Sequence, residues 1–154
     1  MYTGHLFEEE VLGKCRWTSK DYIPFRKAMD IVKKNQAVDP TDPKSGAAND
    51  FHALVCEELG VDDYTEVSLY TSVGSPLDYY HGVDAFVEWK GAFVSIDLTL
   101  DKGKVEYKAD IILHEDDVYT KEGSVNRERL HLVAHHAALL LEAGALVRSP
   151  VRRG

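Results

Sequence analysis

The first part of the chain repeats its apolar positions at helical spacing. This spacing predicts a short helix over 6–13 and a longer amphipathic helix over about 18–36, behind a capping-type start. A further helix is predicted over 49–60, because Asn49 or Asp50 can cap its start and Gly60 can end it. Between these helices, the segment 37–46 contains two prolines, two aspartates and a glycine, which predicts a loop.

The pattern then changes to the alternation that is typical of β-strands. Four segments, 65–72, 82–89, 92–100 and 104–113, alternate apolar and polar residues or are rich in β-forming residues. The connections at Lys90-Gly91 and at 101–103 are short and contain glycine, so they predict antiparallel hairpins. A long helix over 124–142 follows, with Gly144 as its stop.

The order of these elements determines the expected fold class. Helices followed by a meander and a final helix are typical of an α+β or α/β domain, with a central mixed, mainly antiparallel four-stranded sheet flanked by helices. A chain of 154 residues, of which 44% are hydrophobic, can form one such domain around a single core. Within it we distinguish N-terminal helices over 6–36, a loop over 37–46, a core over 47–145 and a basic tail over 146–154.

The charge of the chain argues against an extended surface that coats nucleic acid. The net charge is -8 at pH 7, and such a charge repels polyanions at long range. Between positions 14 and 34, however, seven basic residues stand against two acidic ones. This segment and the tail predict local nucleic-acid contacts, with solvated helix faces as the alternative. The predicted contact residues are Arg26, Lys27, Lys33, Lys34, Arg152 and Arg153.

The sequence pattern predicts neither export nor membrane insertion. No apolar stretch approaches the roughly 18 uninterrupted residues of a membrane span, and the first residues lack the basic and then apolar layout of a secretory signal. Cys15 and Cys56 are distant in the sequence and have no further metal-type ligand at finger spacing. We therefore expect a cytoplasmic protein without membrane contact, whose two thiols are buried and reduced.

Two aspartates in neighbouring predicted strands are the main candidates for chemistry. Because side chains alternate between the two faces of a strand, Asp84 and Asp97 each point to one face of their own strand. The hairpin between the two strands can place both side chains on the same face of the sheet. The two carboxylates can then bind Mg²⁺ or Mn²⁺, with Glu57 or Glu58 as a third acid, and the metal can activate water against a phosphodiester. The alternative is the solvated face of an antiparallel sheet. Asp97 favours the functional interpretation, because it stands inside a strongly apolar strand where aspartate is disfavoured.

The order of these features resembles the core of the PD-(D/E)XK nuclease superfamily over about 49–113. A helix with a glutamate is followed by a strand, by a strand that bears Asp84, and by a strand that reads Asp97-Leu98-Thr99 after a hydrophobic residue. The resemblance implies a restriction-endonuclease-like core and a metal-dependent endonuclease that acts on nucleic-acid phosphodiesters. It also implies that Asp84 and Asp97 are the motif aspartates, with Glu57 or Glu58 as the acid of the helix.

The sequence departs from the superfamily at one position. Thr99 stands where the superfamily usually has the lysine that polarises the scissile phosphate or the attacking water. Lys108 on the next predicted strand, or Lys90 in the hairpin, is the candidate substitute. Without a substitute, the chain is expected to be a non-catalytic interaction or assembly module with a nuclease-like fold and with a second copy or another protein as its partner. A third interpretation is an acidic protein that mimics nucleic acid towards a basic partner.

Two further motifs have weaker interpretations. His131 and His135 stand four residues apart on the last predicted helix, and this spacing can chelate zinc. The sequence lacks the HExxH glutamate there, so a partly buried or solvated histidine pair is the favoured interpretation. The segment 79–81, Tyr-Tyr-His, can either stack a base or cover the edge of the sheet.

Overall fold

A computed structural model describes residues 2–44, 46–103 and 108–148 of the chain. Within these ranges the chain forms six α-helices, four β-strands and one short 3-10 helix. The helices are α1 (Gly4–Leu12), α2 (Phe25–Lys33), α3 (Gly46–Leu59), α4 (Pro76–His81), α5 (Glu115–Val118) and α6 (Arg127–Arg148). The strands are β1 (Ser68–Thr71), β2 (Ala85–Trp89), β3 (Ala92–Thr99) and β4 (Ile111–His114), and the 3-10 helix is Tyr64–Glu66.

The four strands form one mixed sheet in the order β1-β2-β3-β4. The pairs β1/β2 and β2/β3 are antiparallel, as expected, whereas β3/β4 is parallel. The predicted hairpin between β2 and β3 is confirmed. Its two turn residues, Lys90 and Gly91, both have positive φ angles, of 49° and 77°. That backbone conformation matches the natural twist of the two strands and fixes their register.

The predicted antiparallel hairpin at 101–103 is wrong. A parallel neighbour must return to the starting end of its partner strand, which a three-residue turn cannot achieve. The chain therefore leaves β3 at Thr99 and begins β4 only at Ile111. Ser95 and Asp110 fix this start, because the Ser95 backbone N–H donates to the Asp110 carboxylate at 3.0 Å and the Asp110 N–H donates to Ser95 Oγ at 2.9 Å. Residues 104–107 of the predicted strand lie outside the described residues.

Helices cover both faces of the sheet. On one face, α1, α3 and α6 share a core with alternate strand residues, among them Val87, Ile96 and Leu98. On the other face, α2 and α4 pack around Phe86. The expected α+β class and the four-stranded mixed sheet flanked by helices are therefore confirmed. Alternate side chains of each strand point to the two opposite helix layers.

The structure differs from the sequence-based expectation at two helices, α2 and α4. The helix predicted from about 18 begins only at Phe25, after Pro24 at its N-cap, since proline fixes its own backbone and restricts the residue before it. The sequence analysis did not predict α4. Its signals are local: the Ser75 hydroxyl accepts a hydrogen bond from the Leu77 N–H, and Gly82 closes the helix in the left-handed conformation. This short helix contributes Asp78 to the site described below.

The helix α6 also continues past its predicted end. Gly144 does not end the helix. This glycine instead allows α6 to approach the sheet closely, since a Cβ at this position would lie 2.9 Å from the Cβ of Ala92. By length and composition alone, residues Arg127–Val147 are apolar enough to cross a membrane. Leu130 and Leu141 of this helix nevertheless pack in the core of the domain, so α6 is not a clear membrane span.

We expect the substitution Gly144→Ala to destabilise the fold. In an ordinary helix this change stabilises by about 1 kcal/mol, but here the added methyl group collides with the backbone-fixed Ala92 of β3. The expected loss is about 1–3 kcal/mol in the free energy of unfolding, measured by chemical denaturation. The control is Ala143→Gly at the exposed neighbouring position, which reports helix propensity alone. A higher denaturation midpoint for Gly144→Ala would contradict the close contact.

Candidate functional site

Asp84 lies directly before β2 and is fixed by hydrogen bonds with β3 and with the residue that follows β1. Its backbone N–H donates to the Ile96 carbonyl at 2.8 Å, and its carbonyl accepts from the Ser72 N–H at 2.8 Å. The last paired residues of β2 and β3 are Ala85 and Ile96, so Asp84 lies one step further, across from Asp97. The two-residue turn between the strands therefore brings both aspartates to the same end of the sheet.

The side chain of Asp84 is almost fully enclosed, with 1% of the residue exposed. One carboxylate oxygen accepts a hydrogen bond from the Leu98 N–H at 2.7 Å. The carboxyl groups of Asp78 and Asp97 lie near enough to act on it, and both raise its pKa. Asp97 is itself 7% exposed, so the expected solvated sheet face does not describe this pair. The two predicted site aspartates are brought together inside the protein.

Two further acids complete the cluster. Carboxylate oxygens of Glu8 on α1, Asp78 on α4 and Asp84 lie within 4.8 Å of one another. Asp78 is held in place by the Gly74 N–H, which donates to it at 2.9 Å. We call Glu8, Asp78, Asp84 and Asp97 the acidic cluster. Its four members come from four separate parts of the chain.

The position of Glu8 follows from the way in which α1 docks. Thr3 caps the helix by accepting a hydrogen bond from the Leu6 N–H, and Phe7 and Val11 on the next turns are buried in the core against the sheet. With these two side chains fixed, the adjacent Glu8 reaches the end of the sheet where Asp84 lies. The side chain is half-buried, and burial is the main cause that raises its pKa.

The cluster has an unusual proton balance. Burial, followed by the hydrogen bond and the negative charge of Asp78, raises the pKa of Asp84 to about 12, with Asp97 and Glu8 acting in the same direction. A carboxyl with such a pKa holds its proton at neutral pH unless a positive charge replaces that proton. Several carboxylate oxygens around one point are the ligands that hard divalent cations such as Mg²⁺ and Mn²⁺ take. The donor set therefore fits such an ion.

The glutamates predicted for the helix acid lie elsewhere. Glu57 is exposed on α3. Glu58 on the same helix is held by His131 Nε2 at 2.5 Å and by His135 Nδ1 at 3.0 Å, and these hydrogen bonds, that of His135 first, lower its pKa. The structure brings Glu8 of α1 beside Asp84 instead. The two histidines are more than half exposed, which agrees with a solvated pair.

The lysines proposed as substitutes at Thr99 differ in position. Lys90 lies in the turn at the far end of β2, with its ammonium 4.7 Å from the centre of the Trp89 ring. Lys90 is six residue steps of extended chain from Asp84, which corresponds to roughly 20 Å, so it cannot act at the cluster. Lys108 lies closer, because its Cβ is 3.9 Å from where a Cβ on Gly82 would be.

Within the described part of the chain, no contact directs the side chain of Lys108 or of Thr99 towards the acidic cluster. The Lys108 ammonium is exposed and donates to the Tyr80 carbonyl at 3.1 Å. Thr99 follows Asp97 by two positions on β3, which puts both side chains on the same face. Its hydroxyl accepts a hydrogen bond from the Asp101 N–H at 3.0 Å and so caps the turn after β3.

The predicted nucleic-acid contacts divide into three groups. Arg26, Lys27 and Lys34 are exposed on α2 or directly after it. Lys33 is held by both carboxylate oxygens of Glu88, at 2.9 and 2.8 Å, and the hydrogen bond with Glu88 raises its pKa. Its charge is therefore already compensated. Arg152 and Arg153 lie outside the described residues.

Glu8 and Asp78 were not among the residues that the sequence patterns predicted for the site. The signal for Glu8 was a short acidic run in a predicted helix, Glu8-Glu9-Glu10, which looks the same as a solvated helix face. The signal for Asp78 was the Ser75-Pro76 start of a helix too short to show periodicity. Comparisons with family models, curated proteins and solved structures give no match for this chain. The functional assignment therefore rests on the geometry of the site.

We expect Asp84 to make the stability of the cation-free protein fall as pH rises. Its pKa is about 12 in the folded state against the ordinary 3.8, so the folded state holds a proton that the unfolded state loses above about pH 4. The stabilisation is complete below that pH and declines as pH rises towards 12, by at most about 1.4 kcal/mol per pH unit. Denaturation from pH 5 to 9 in a chelator measures it. Asp84→Asn should flatten the dependence of the free energy of unfolding on pH, whereas Glu57→Gln should leave it unchanged. A wild-type protein whose stability does not decline over this range would contradict the raised pKa of Asp84.

Proposed function

We propose that this chain is a metal-dependent phosphodiesterase of the nuclease type, with Mg²⁺ or Mn²⁺ bound at the acidic cluster. The observation that supports this is the convergence of three carboxyl groups, from α1, α4 and β3, on the buried Asp84 directly before β2, which makes a cluster of four. Three of them have oxygens close enough to share one ion. Such an ion supplies two things: a water activated at neutral pH and a positive charge for the phosphate oxygens.

The residues of the chain have separate roles in this proposal. Asp84 holds the ion at the end of the sheet, and Asp97 adds its negative charge from the paired strand, so the separation of these two residues is fixed by the sheet. Glu8 and Asp78 provide the remaining carboxylates from α1 and α4. The Leu98 N–H orients the Asp84 carboxylate by a 2.7 Å hydrogen bond, which leaves its other oxygen for the ion.

The resemblance to the PD-(D/E)XK superfamily supports the same assignment. The mixed sheet carries one aspartate at the start of a strand and the second on the next strand, in the order that the resemblance implies. We therefore propose a restriction-endonuclease-like core, with Glu8 in place of the expected Glu57 or Glu58. The exposed basic residues of α2 suit a polyanionic substrate inside the cell.

Cation binding and cleavage test the proposal. Titration calorimetry with Mn²⁺ should give saturable binding to the wild type and to Glu57→Gln, and at least tenfold weaker binding to Glu8→Gln and Asp84→Asn. Cleavage of single- and double-stranded DNA and RNA should fall by about a hundredfold or more in Asp97→Asn, because the positive charge at the phosphate is lost. Binding that is equal in Glu8→Gln and Glu57→Gln would overturn the assignment of the cluster.

A second function, a self-associating module, is supported by one separate feature of α6. Leu132, Leu139 and Leu146 recur every seven residues on the side of this helix opposite its buried face, and each is at least half exposed. Apolar stripes of this kind are typical of interfaces, and a two-fold pairing of two copies covers the same stripe in both.

Light scattering over a range of concentrations tests the self-association. The wild type should sediment and scatter as a dimer, and Leu139→Glu should be monomeric because a charge is placed in the centre of the stripe. The control, Val38→Glu, places the same charge on an exposed loop residue. A wild type that remains monomeric at high concentration would exclude this function and would leave the proposed phosphodiesterase untouched.

A further inference from the structure

A cleft opens directly beside the acidic cluster. It has a volume of about 550 Å³ and is lined by residues of α1, α4 and the loop before α2, including His5, Lys20, Gly74, Asp78 and Tyr79. This volume lies within the range of sites that enclose small ligands. The cleft is a feature separate from the carboxyl groups of the acidic cluster, and its lining residues indicate what it could bind.

The cleft and the acidic cluster share Asp78. Asp78 contributes a carboxylate oxygen to the cluster and is also one of the residues that line the cleft. His5 stands one helical turn before Glu8 on α1 and lines the same cleft. A phosphate group bound at Asp78 would therefore lie where the acidic cluster meets the cleft, and the remainder of its ester could occupy the cleft that Lys20 and Tyr79 also line.

The wall that carries Lys20 is fixed against the rest of the domain. The Tyr80 hydroxyl donates to the Lys20 carbonyl. At Gly74, φ is +86° and an added Cβ would lie 3.3 Å from Thr18 Cγ2, so the loop packs closely over this turn. The loop that carries Lys20 is therefore held against the turn at Gly74 and against α4.

Lys20 is suited to hold a phosphate. Its side chain is exposed and forms no ion pair with any described residue, whereas Lys14 and Lys33 of the same basic segment are paired with Glu9 and Glu88. An unpaired ammonium is the usual point-charge ligand of a phosphate oxygen. Lys20 therefore offers the positive charge that Thr99 does not supply on β3.

Tyr79 is suited to hold a base. Its ring is 63% exposed and is supported by an edge-on contact with Tyr80, at a centroid distance of 4.9 Å. Exposed aromatic rings beside a phosphate site stack bases of single strands without sequence preference. A paired base in a duplex cannot present its face to such a ring without leaving the stack.

We propose that this cleft binds one nucleotide unit of a single nucleic-acid strand, with Lys20 at the phosphate and Tyr79 against the base. The inference rests on the proposed phosphodiesterase function and names its substrate class. The cleft has room for one nucleotide, and the net charge of -8 disfavours a long duplex footprint. Single-stranded substrates and flexible strand ends should therefore be preferred to continuous duplexes.

Fluorescence anisotropy of a labelled ten-nucleotide oligo(dT) tests the inference, with Ca²⁺ in place of Mg²⁺ and a hairpin duplex as the comparison. Oligo(dT) should bind at least tenfold more tightly than the duplex. Lys20→Gln and Tyr79→Ala should each weaken its binding about fivefold or more, and Lys20→Gln should lower the dependence of log affinity on log salt by about 0.7. The matched controls Lys121→Gln and Tyr64→Ala, at exposed positions outside the cleft, should remain within twofold of the wild type.

The outcomes separate the inference from the function on which it rests. Equal or tighter binding of the duplex overturns the inference, as does equal binding by the Lys20 and Tyr79 variants and their controls. If Mn²⁺ still binds and Asp97→Asn still abolishes cleavage in those cases, the phosphodiesterase stands and only the substrate site falls. If Mn²⁺ does not bind at all, both fall. Circular dichroism of each variant checks that the fold is retained.

Discussion

The burial of Asp84 against other carboxyl groups is the constraint on which the rest of this structure depends. An ionised carboxylate that is 1% exposed costs several kcal/mol unless a proton or a cation compensates it. The single backbone donor from Leu98 does not balance three acidic neighbours. A core designed only for stability would have an apolar residue at this position. A proton meets this requirement in the cation-free protein, and under the proposed function a divalent cation replaces that proton.

The sheet makes this burial possible without disrupting the core. Ile96 and Leu98 point into the layer of α1, α3 and α6, while Asp97 between them points to the other face. A slip of one residue in the pairing of β2 and β3 would exchange these faces. The two positive-φ residues of the Lys90-Gly91 turn set the register that prevents it. A turn at one end of the sheet thus determines the chemistry at the other end.

The sequence was sufficient for those parts of the site that depend on local periodicity. Alternation and the Lys90-Gly91 turn predicted that Asp84 and Asp97 lie on paired strands. The direction of β4 could not be predicted, because alternation is identical in parallel and antiparallel strands and Ser95 and Asp110 meet only in three dimensions. The contribution of α1 could not be predicted either, because it depends on where the core accepts its apolar side chains. Long-range packing thus decided which of several acidic helices supplies the third acid.

The same distinction bears on the absence of lysine at position 99. The missing lysine of the motif indicates a lost activity only if no other residue can place a positive charge at the proposed phosphate site. Here the loop before α2 carries Lys20 into the cleft that shares Asp78 with the acidic cluster. The loop is held there by the Tyr80 hydroxyl and by the close approach of Thr18 to Gly74. A positive charge on a fixed loop can meet a phosphate from the side opposite the strand, since electrostatic stabilisation depends on the position of a charge and not on the element that carries it. Thr99 is therefore compatible with a working site.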